Sequence, residues 1–231
     1  SVNAVYGFWP SNSEGDDIIV YDETRENELV RLNMLRQQQE RGDSAYRCLS
    51  DYIAPKGMAD HIGLFAVTGG IGADEMRKEF NAKGDDYNAI MAQLLGDRMA
   101  EACTEWLHAK VRGEWGFPDD ESTNLADLLK ESYRSIRPAY GYPACPDHTE
   151  LTKVFELLDA GRIGMELTEH CAILPAASVS GLYFGHPEAQ YFSVGRVDRE
   201  QVEDYARRKG IRVKEAENHL YMNLGYFSVD D

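Results

Sequence analysis

The sequence predicts an α+β protein with mainly antiparallel strands and one long central helix. Three observations carry that prediction: apolar runs rich in β-branched residues at both ends of the chain, a helical period sustained from Tyr87 to Val111 between them, and no regular alternation of strand with helix such as a doubly wound sheet requires. With 231 residues and 43% hydrophobic content, the chain can bury one large core or two small ones, so a single unit of one lobe or two is expected.

"DDIIVYD" (16–22) and "ELVRLNML" (28–35), separated by the polar "ETREN", read as a hairpin-like strand pair. "HIGLFAVTGG" is a third strand ending in glycines, and "ADEMRKEF" has helical composition. From Tyr87 to Val111 apolar residues fall at 87, 90, 91, 94, 95, 99, 102, 103, 106, 107 and 111, spacings of three and four that predict a long core helix. Asp85 and Asp86 precede it, suited to capping and to the positive end of the helix dipole. Arg98, Glu101 and Glu105 project within about 60° of Leu94, so charge stands where the earlier half carries Ile and Leu. Acids placed there need a cation, a ligand or a water-filled groove.

After the turn-rich "GEWGFPDDEST", the segments "NLADLLKESYRSI" and "HTELTKVFELLD" read as amphipathic helices. "GMELTEHCAILP", "ASVSGLYFG" and "QYFSVG" have strand composition punctuated by Gly and Pro, and "DREQVEDYARRKG" is a surface helix closed by Gly210.

A formal charge of −16, from 40 acidic against 24 basic residues, argues against nucleic acid or an anionic membrane as partner, since phosphates need a basic surface. There is no run of about 18 apolar residues and no signal-peptide pattern at the start, so a cytoplasmic protein is expected. The scattered Cys48, Cys103, Cys145 and Cys171 read as reduced thiols.

"FAVTGGIGADE" offers glycines between a strand and a helix, but Gly69, Gly70 and Gly72 do not make a dinucleotide fingerprint, and a tight structural turn is the better reading. Cys145, His148, His170 and Cys171 invite a zinc reading that fails because His170 and Cys171 are neighbours on a predicted strand and point to opposite faces. No nucleophile elbow is present. The stretch "SIRPAYGYPACPDHTE" (135–150) differs in kind: Pro138, Pro143 and Pro146 fix backbone angles, and Gly141 permits a turn between Tyr140 and Tyr142. Arg137 adds a planar donor fork, and small Ala144 allows close approach to the main chain. Two readings stay open on pattern alone, a stiffened connector between helices or a preorganised recognition loop.

With those residues in view, the chain resembles the activation domain, also called the AdoMet-binding domain, of cobalamin-dependent methionine synthase. "RPAYGYPACPDHTE" is similar at nearly every position to that family's R-P-A-x-G-Y-P-A-C-P-[ED]-H-T-E segment, and "GDDIIVY", "CLSDYIAP", "GLFAVTGG", "GDDYNAIM", "DRMAEA", "ASVSGLYF" and "QVEDYARRKG" look like further family blocks in the family's order. The resemblance covers nearly the whole chain and favours the recognition reading of the loop.

The resemblance implies a C-shaped α+β domain that binds S-adenosylmethionine in a shallow groove and supplies its methyl group to oxidised cobalamin, with an electron from flavodoxin or another reductase. The implied partners are the parent enzyme's cobalamin-binding module and that reductase; the alternative is a module that binds S-adenosylmethionine or docks the reductase without catalysis. It implies ligand contacts at Arg137, Tyr191 and Phe192, loop positions Tyr142 and Ala144 facing the corrin, and acidic groove residues Glu101 and Glu131. No general acid or base and no metal ligand is implied within the domain. The family carries a further acidic ligand residue upstream of the strand near "VYGFWP", so residues 1–231 are expected to form a domain truncated at its N-terminus. Leu151 stands where a lysine is usual, and Phe192 replaces an aromatic hydroxyl found in some members. The basic "RRKGIRVK", with Arg207 and Arg208, is read as part of a reductase-docking patch.

Overall fold

The structure, a computed structural model, describes residues 1–39, 42, 45–120 and 125–228. Its strands are β1 (Asn3–Glu14), β2 (Asp17–Tyr21), β3 (Glu28–Asn33), β4 (Asp60–Thr68), β5 (Glu166–Leu167), β6 (Ile173–Leu174) and β7 (Ser178–Tyr183). Five form an antiparallel sheet in the order β3-β2-β1-β4-β7, and β5 with β6 makes a separate short hairpin. The predicted pair at 16–35 is the hairpin of β2 and β3, with Val20 opposite Val30. β1, expected near "VYGFWP" from the resemblance alone, runs along β4 from Asn3–Thr68 to Ser11–Asp60 and turns at Gly15 into β2.

Alternation along β4 explains why "HIGLFAV" is apolar throughout. Ile62, Leu64 and Ala66 enter the main core with Leu182 and Phe184, while Phe65 and Val67 meet Leu107 and Val111 on the other side. The first side is closed by the helix α4 (Leu151–Leu158), which contributes Leu151, Val154 and Leu158. The second is covered by α2 (Asp86–Glu114), with α1 (Ala73–Ala82) packed along it. Asp85 caps α2 by accepting from the Asn88 amide at 3.1 Å.

The long helix is present, but it is not the apolar rod the spacing predicts. Its buried positions are mostly small, Ala89, Ala92, Gly96, Ala100 and Thr104, followed by Leu107, His108, Val111 and Arg112. Tyr87, Ile90, Leu94, Leu95, Met99 and Trp106 are exposed. Counting apolar residues weights bulk, whereas close approach of a helix to the glycine-ended strand β4 selects small side chains.

Other elements differ from the sequence reading. Of "NLADLLKESYRSI", Asn124 lies outside the described residues, as do 121–123 of the preceding break, and only α3 (Leu125–Leu129) is helical. Glu131 and Ser135, at φ 52° and 91°, break the helix that composition favours. His170 and Cys171 belong to the turn between β5 and β6, with Cys171 at φ 59°, rather than to a strand. "QYFSVG" is irregular: the Val194 amide donates to the Pro143 carbonyl at 2.8 Å, and Gln37 Nε2 to the Ser193 carbonyl at 2.7 Å, so its backbone is spent on loops instead of a ladder. Helix α5 (Arg199–Lys209) starts at Asp198 and ends at Gly210 as expected. A further helix, α6 (Val213–His219), packs Ala216 with Val202, Tyr205 and Ala206 into a second core.

Within the expected docking patch, one arginine is largely covered and one is exposed. Arg208 is held by Asp17, by Asp204 at 2.7 Å and by the Met34 carbonyl at 3.0 Å, and its side chain is only 11% exposed. Arg207, paired with Asp204, remains outside at 72% exposure. A helix surface cannot be read for docking until its basic residues are known to be free of acids beneath them.

Gly181 shows how the sheet positions the proline-rich loop. A Cβ on Gly181 would overlap the Pro138 carbonyl oxygen and lie 3.1 Å from Ala139 Cα. The neighbouring Leu182 amide donates to that same carbonyl at 2.9 Å, and Ile136 exchanges two backbone bonds with Phe184. Gly181→Ala should therefore push the loop off the sheet and cost about 1–3 kcal/mol, read as a lower urea midpoint; an unchanged midpoint would mean that the loop yields freely.

Candidate functional site

The loop is rigid for local reasons. Pro143 occupies the second position of a turn closed by the Cys145 amide donating to the Tyr142 carbonyl at 3.0 Å, and the Gly141 amide donates back to the Cys145 carbonyl at 2.9 Å. Gly141 has φ 87°, and the His148 ring occupies the space a Cβ would need. Cys145 Sγ donates to the Ala139 carbonyl at 3.1 Å.

This loop, α2, β7 and the segment 191–193 enclose a groove of about 690 Å³. The structure brings all seven sequence-predicted residues to it: Arg137, Tyr142 and Ala144 from the loop, Tyr191 and Phe192 opposite, Glu101 from α2, and Glu131 from the turn after α3. Tyr142 is 66% exposed at the rim, whereas Ala144 is buried. Tyr191 Oη accepts from the Arg137 amide at 3.0 Å, which ties the two walls together.

Arg137 is the most constrained of the seven. Nη2 reaches Glu105 Oε2 at 2.6 Å and Glu131 Oε1 at 3.3 Å, and Nη1 donates to His108 Nδ1 at 3.1 Å and to the Tyr133 hydroxyl. Tyr133 in turn donates to Glu105 Oε1 at 3.0 Å. Glu101 is paired with Arg98 at 2.5 Å on the exposed side of α2. The groove thus holds acids in excess over one fixed cation, an environment suited to a ligand with positive charge and a carboxylate of its own.

Helix geometry singles out Glu105 in the sequence without placing it in the site, and neither His108 nor Tyr133 stands out there. Extending the charged face from Glu105 by three residues reaches His108, a signal that was available. His108 is fully buried, and burial first, then Arg112 and Arg137, lowers its pKa from 6.5 to about 2. The unfolded imidazole takes a proton below about 6.5 while the folded one does not, so its contribution is complete above that pH and is lost as pH falls. From pH 6.5 to 5 stability should drop by about 2 kcal/mol on this account. Urea midpoints for wild type and His108→Gln at both pH values check it; equal slopes would refute the assignment.

The four zinc candidates do not assemble. His148, His170 and Cys171 line a second groove beside Asp147 and His219, while Cys145 is buried against Ala139. Among the described residues no three His, Cys, Asp or Glu side chains converge as metal ligands. All four cysteines are unpaired, and burial pushes the Cys48 thiol up to about 12. Among the described residues, no helix is long and apolar enough to cross a membrane.

An antiparallel sheet under a long helix, with an acidic groove walled by a proline-rich loop, makes this an α+β domain with a groove built for a small charged molecule. The solved structure described as "Crystal Structure of the MetH Reactivation Domain bound to AdoHcy" is 49% identical and matches with a TM-score of 0.93 over 98% of this chain and 71% of that chain. Residues 1–210 match the family described as "Vitamin B12 dependent methionine synthase, activation domain". The chain belongs to that family, and hence to a part of the methyltransferase methionine synthase.

Proposed function

We propose that the groove binds S-adenosylmethionine and that residues 1–231, acting as one domain in the cytoplasm, present its methyl group to cobalamin on the cobalamin-binding module, an electron coming from flavodoxin or an equivalent reductase. The observation that carries this reading is the meeting of Arg137 with Glu101 and Glu131 in a groove of about 690 Å³, on a fold whose solved relative holds AdoHcy, the demethylated form of the same ligand.

Reduced cobalamin supplies a strong nucleophile and the sulfonium an activated methyl, so the chain's residues bind and orient without moving protons. Arg137 takes the ligand carboxylate through Nη2, whose 3.3 Å contact to Glu131 is the longest it makes to a side chain. Glu131, released from that contact, and Glu101 face the ammonium and sulfonium charges. Tyr191 and Phe192 flank the adenosyl portion, and Tyr142 with Ala144 forms the wall toward the corrin. No residue is assigned as a general acid or base, and the isolated domain holds its ligand without completing turnover.

Mixing the chain with a cobalamin-loaded module, a reductant and methyl-labelled S-adenosylmethionine should give labelled methylcobalamin. Binding without transfer of label would leave a non-catalytic ligand-binding or reductase-docking module; label in small acceptors without cobalamin would overturn the reading altogether.

A further inference from the structure

Arg137 serves a ligand at the least entropic cost when its fork is aimed before the ligand arrives, and the structure contains a device that aims it. His108 lies on α2 with its ring stacked on Tyr183, centroids 4.9 Å apart and planes 16° from parallel; Tyr183 is itself stacked on Phe65 at 4.5 Å and 23°. Tyr133 meets the His108 ring edge-on at 5.2 Å, and the Arg112 guanidinium lies 3.7 Å from the Tyr133 centroid, anchored by Asp119. The imidazole plane is therefore fixed by the core, and with it the directions of both ring nitrogens.

The proton is fixed as well. A guanidinium can only donate, so His108 Nδ1, 3.1 Å from Arg137 Nη1, is the acceptor and Nε2 carries the hydrogen. That hydrogen is directed at Ser135 Oγ, 3.0 Å away. Ser135 has φ 91°, a conformation costly for a residue with a side chain, and it opens the loop that carries Arg137. One buried ring thus holds both the guanidinium and the strained backbone two residues before it.

We propose that His108 is the positioning residue for Arg137: its Nδ1 orients the guanidinium in the groove while its Nε2–H pins Ser135 at the head of the loop. Glu105 completes the clamp on Nη2. A ligand carboxylate then meets an oriented fork and loses less freedom on binding than it would against a mobile arginine. The charged and titratable groups facing the ring are Arg112 from α2, Tyr133 from the segment before the loop, Arg137 from the loop itself and Tyr183 from β7, with Glu105 of α2 joined to it through Tyr133 and Arg137. Protonating His108 would remove the acceptor and set a cation against two arginines.

The inference rests on the groove being the S-adenosyl ligand site, and its test has one arm that does not. In ¹⁵N spectra of the unliganded chain, His108 Nδ1 should appear unprotonated and Nε2 protonated, and Arg137→Ala should move the Nδ1 resonance. A proton on Nδ1, or indifference to Arg137→Ala, overturns the proposal whether or not any ligand binds. In the second arm, titration with S-adenosylhomocysteine should show His108→Leu weakening binding about tenfold in the Arg137 background and less than about twofold in the Arg137→Ala background. His108→Gln, which keeps an acceptor, should recover part of the loss, and melting curves establish that each variant is folded. Additive penalties would reduce His108 to packing. Failure of the wild-type chain to bind would sink the proposed function and leave the spectroscopic arm to decide the role of His108.

Discussion

Lys209→Met should destabilise the folded chain by about 3–5 kcal/mol, because it strands two carboxylates away from water. Lys209 Nζ donates to Asp147 Oδ2 at 2.7 Å, Thr149 Oγ1 at 2.6 Å and Glu150 Oε1 at 2.7 Å, and Asp147 and Glu150 are 3% and 0% exposed. Glu150 would keep Lys153 and the Asn33 amide, and Asp147 would keep the Tyr205 hydroxyl and the Thr149 amide, but one cation would then serve two acids. Burial alone would raise the Asp147 carboxyl, yet the His219 ring 3.7 Å away and the bond from Lys209 hold it well below the ordinary range. Its stabilising contribution is therefore present above the unfolded carboxyl pKa of about 3.9 and lost as pH falls further. The measurement is a urea transition at neutral pH, where the midpoint should fall with unchanged slope; a loss under about 1 kcal/mol would show that water reaches the cluster and takes the lysine's place. These acids close the C-terminal end of the loop, so the same variant should also loosen the groove.

Arg137→Ala should weaken S-adenosylmethionine binding by about 2–3 kcal/mol, roughly 30- to 150-fold, because a charge-assisted contact to the ligand carboxylate disappears and Glu105 loses its cation. Calorimetric titration of the two proteins measures the difference directly. Affinity within about twofold of wild type would place the carboxylate elsewhere and remove Arg137 from the ligand's contacts.

The sequence was informative where structure is local and silent where it is made by packing. Residues 135–150 advertised a stiff loop through their prolines, and the structure realises the stiffness through turns internal to the segment. β4, α4 and α5 were legible for the same reason, β4 as a continuous apolar run ending in glycines and the two helices through one period and clear ends. The short α6 escaped because two turns of mixed composition carry little periodicity. "QYFSVG" misled because strand composition cannot say whether a neighbouring strand exists. In the groove, Glu101 and Glu105 stood out as charges on an apolar face, but His108 has an aromatic stack around it that no spacing encodes.

The order of the sheet has a consequence for synthesis. β1 finds its second neighbour only when residues 60–68 have emerged, and β4 keeps a bare edge until Ser178–Tyr183 follow more than a hundred residues later. A nascent chain halted before that point carries a four-stranded sheet with an open flank, so the interval between the emergence of Thr68 and that of Tyr183 is the one in which a chaperone is needed most.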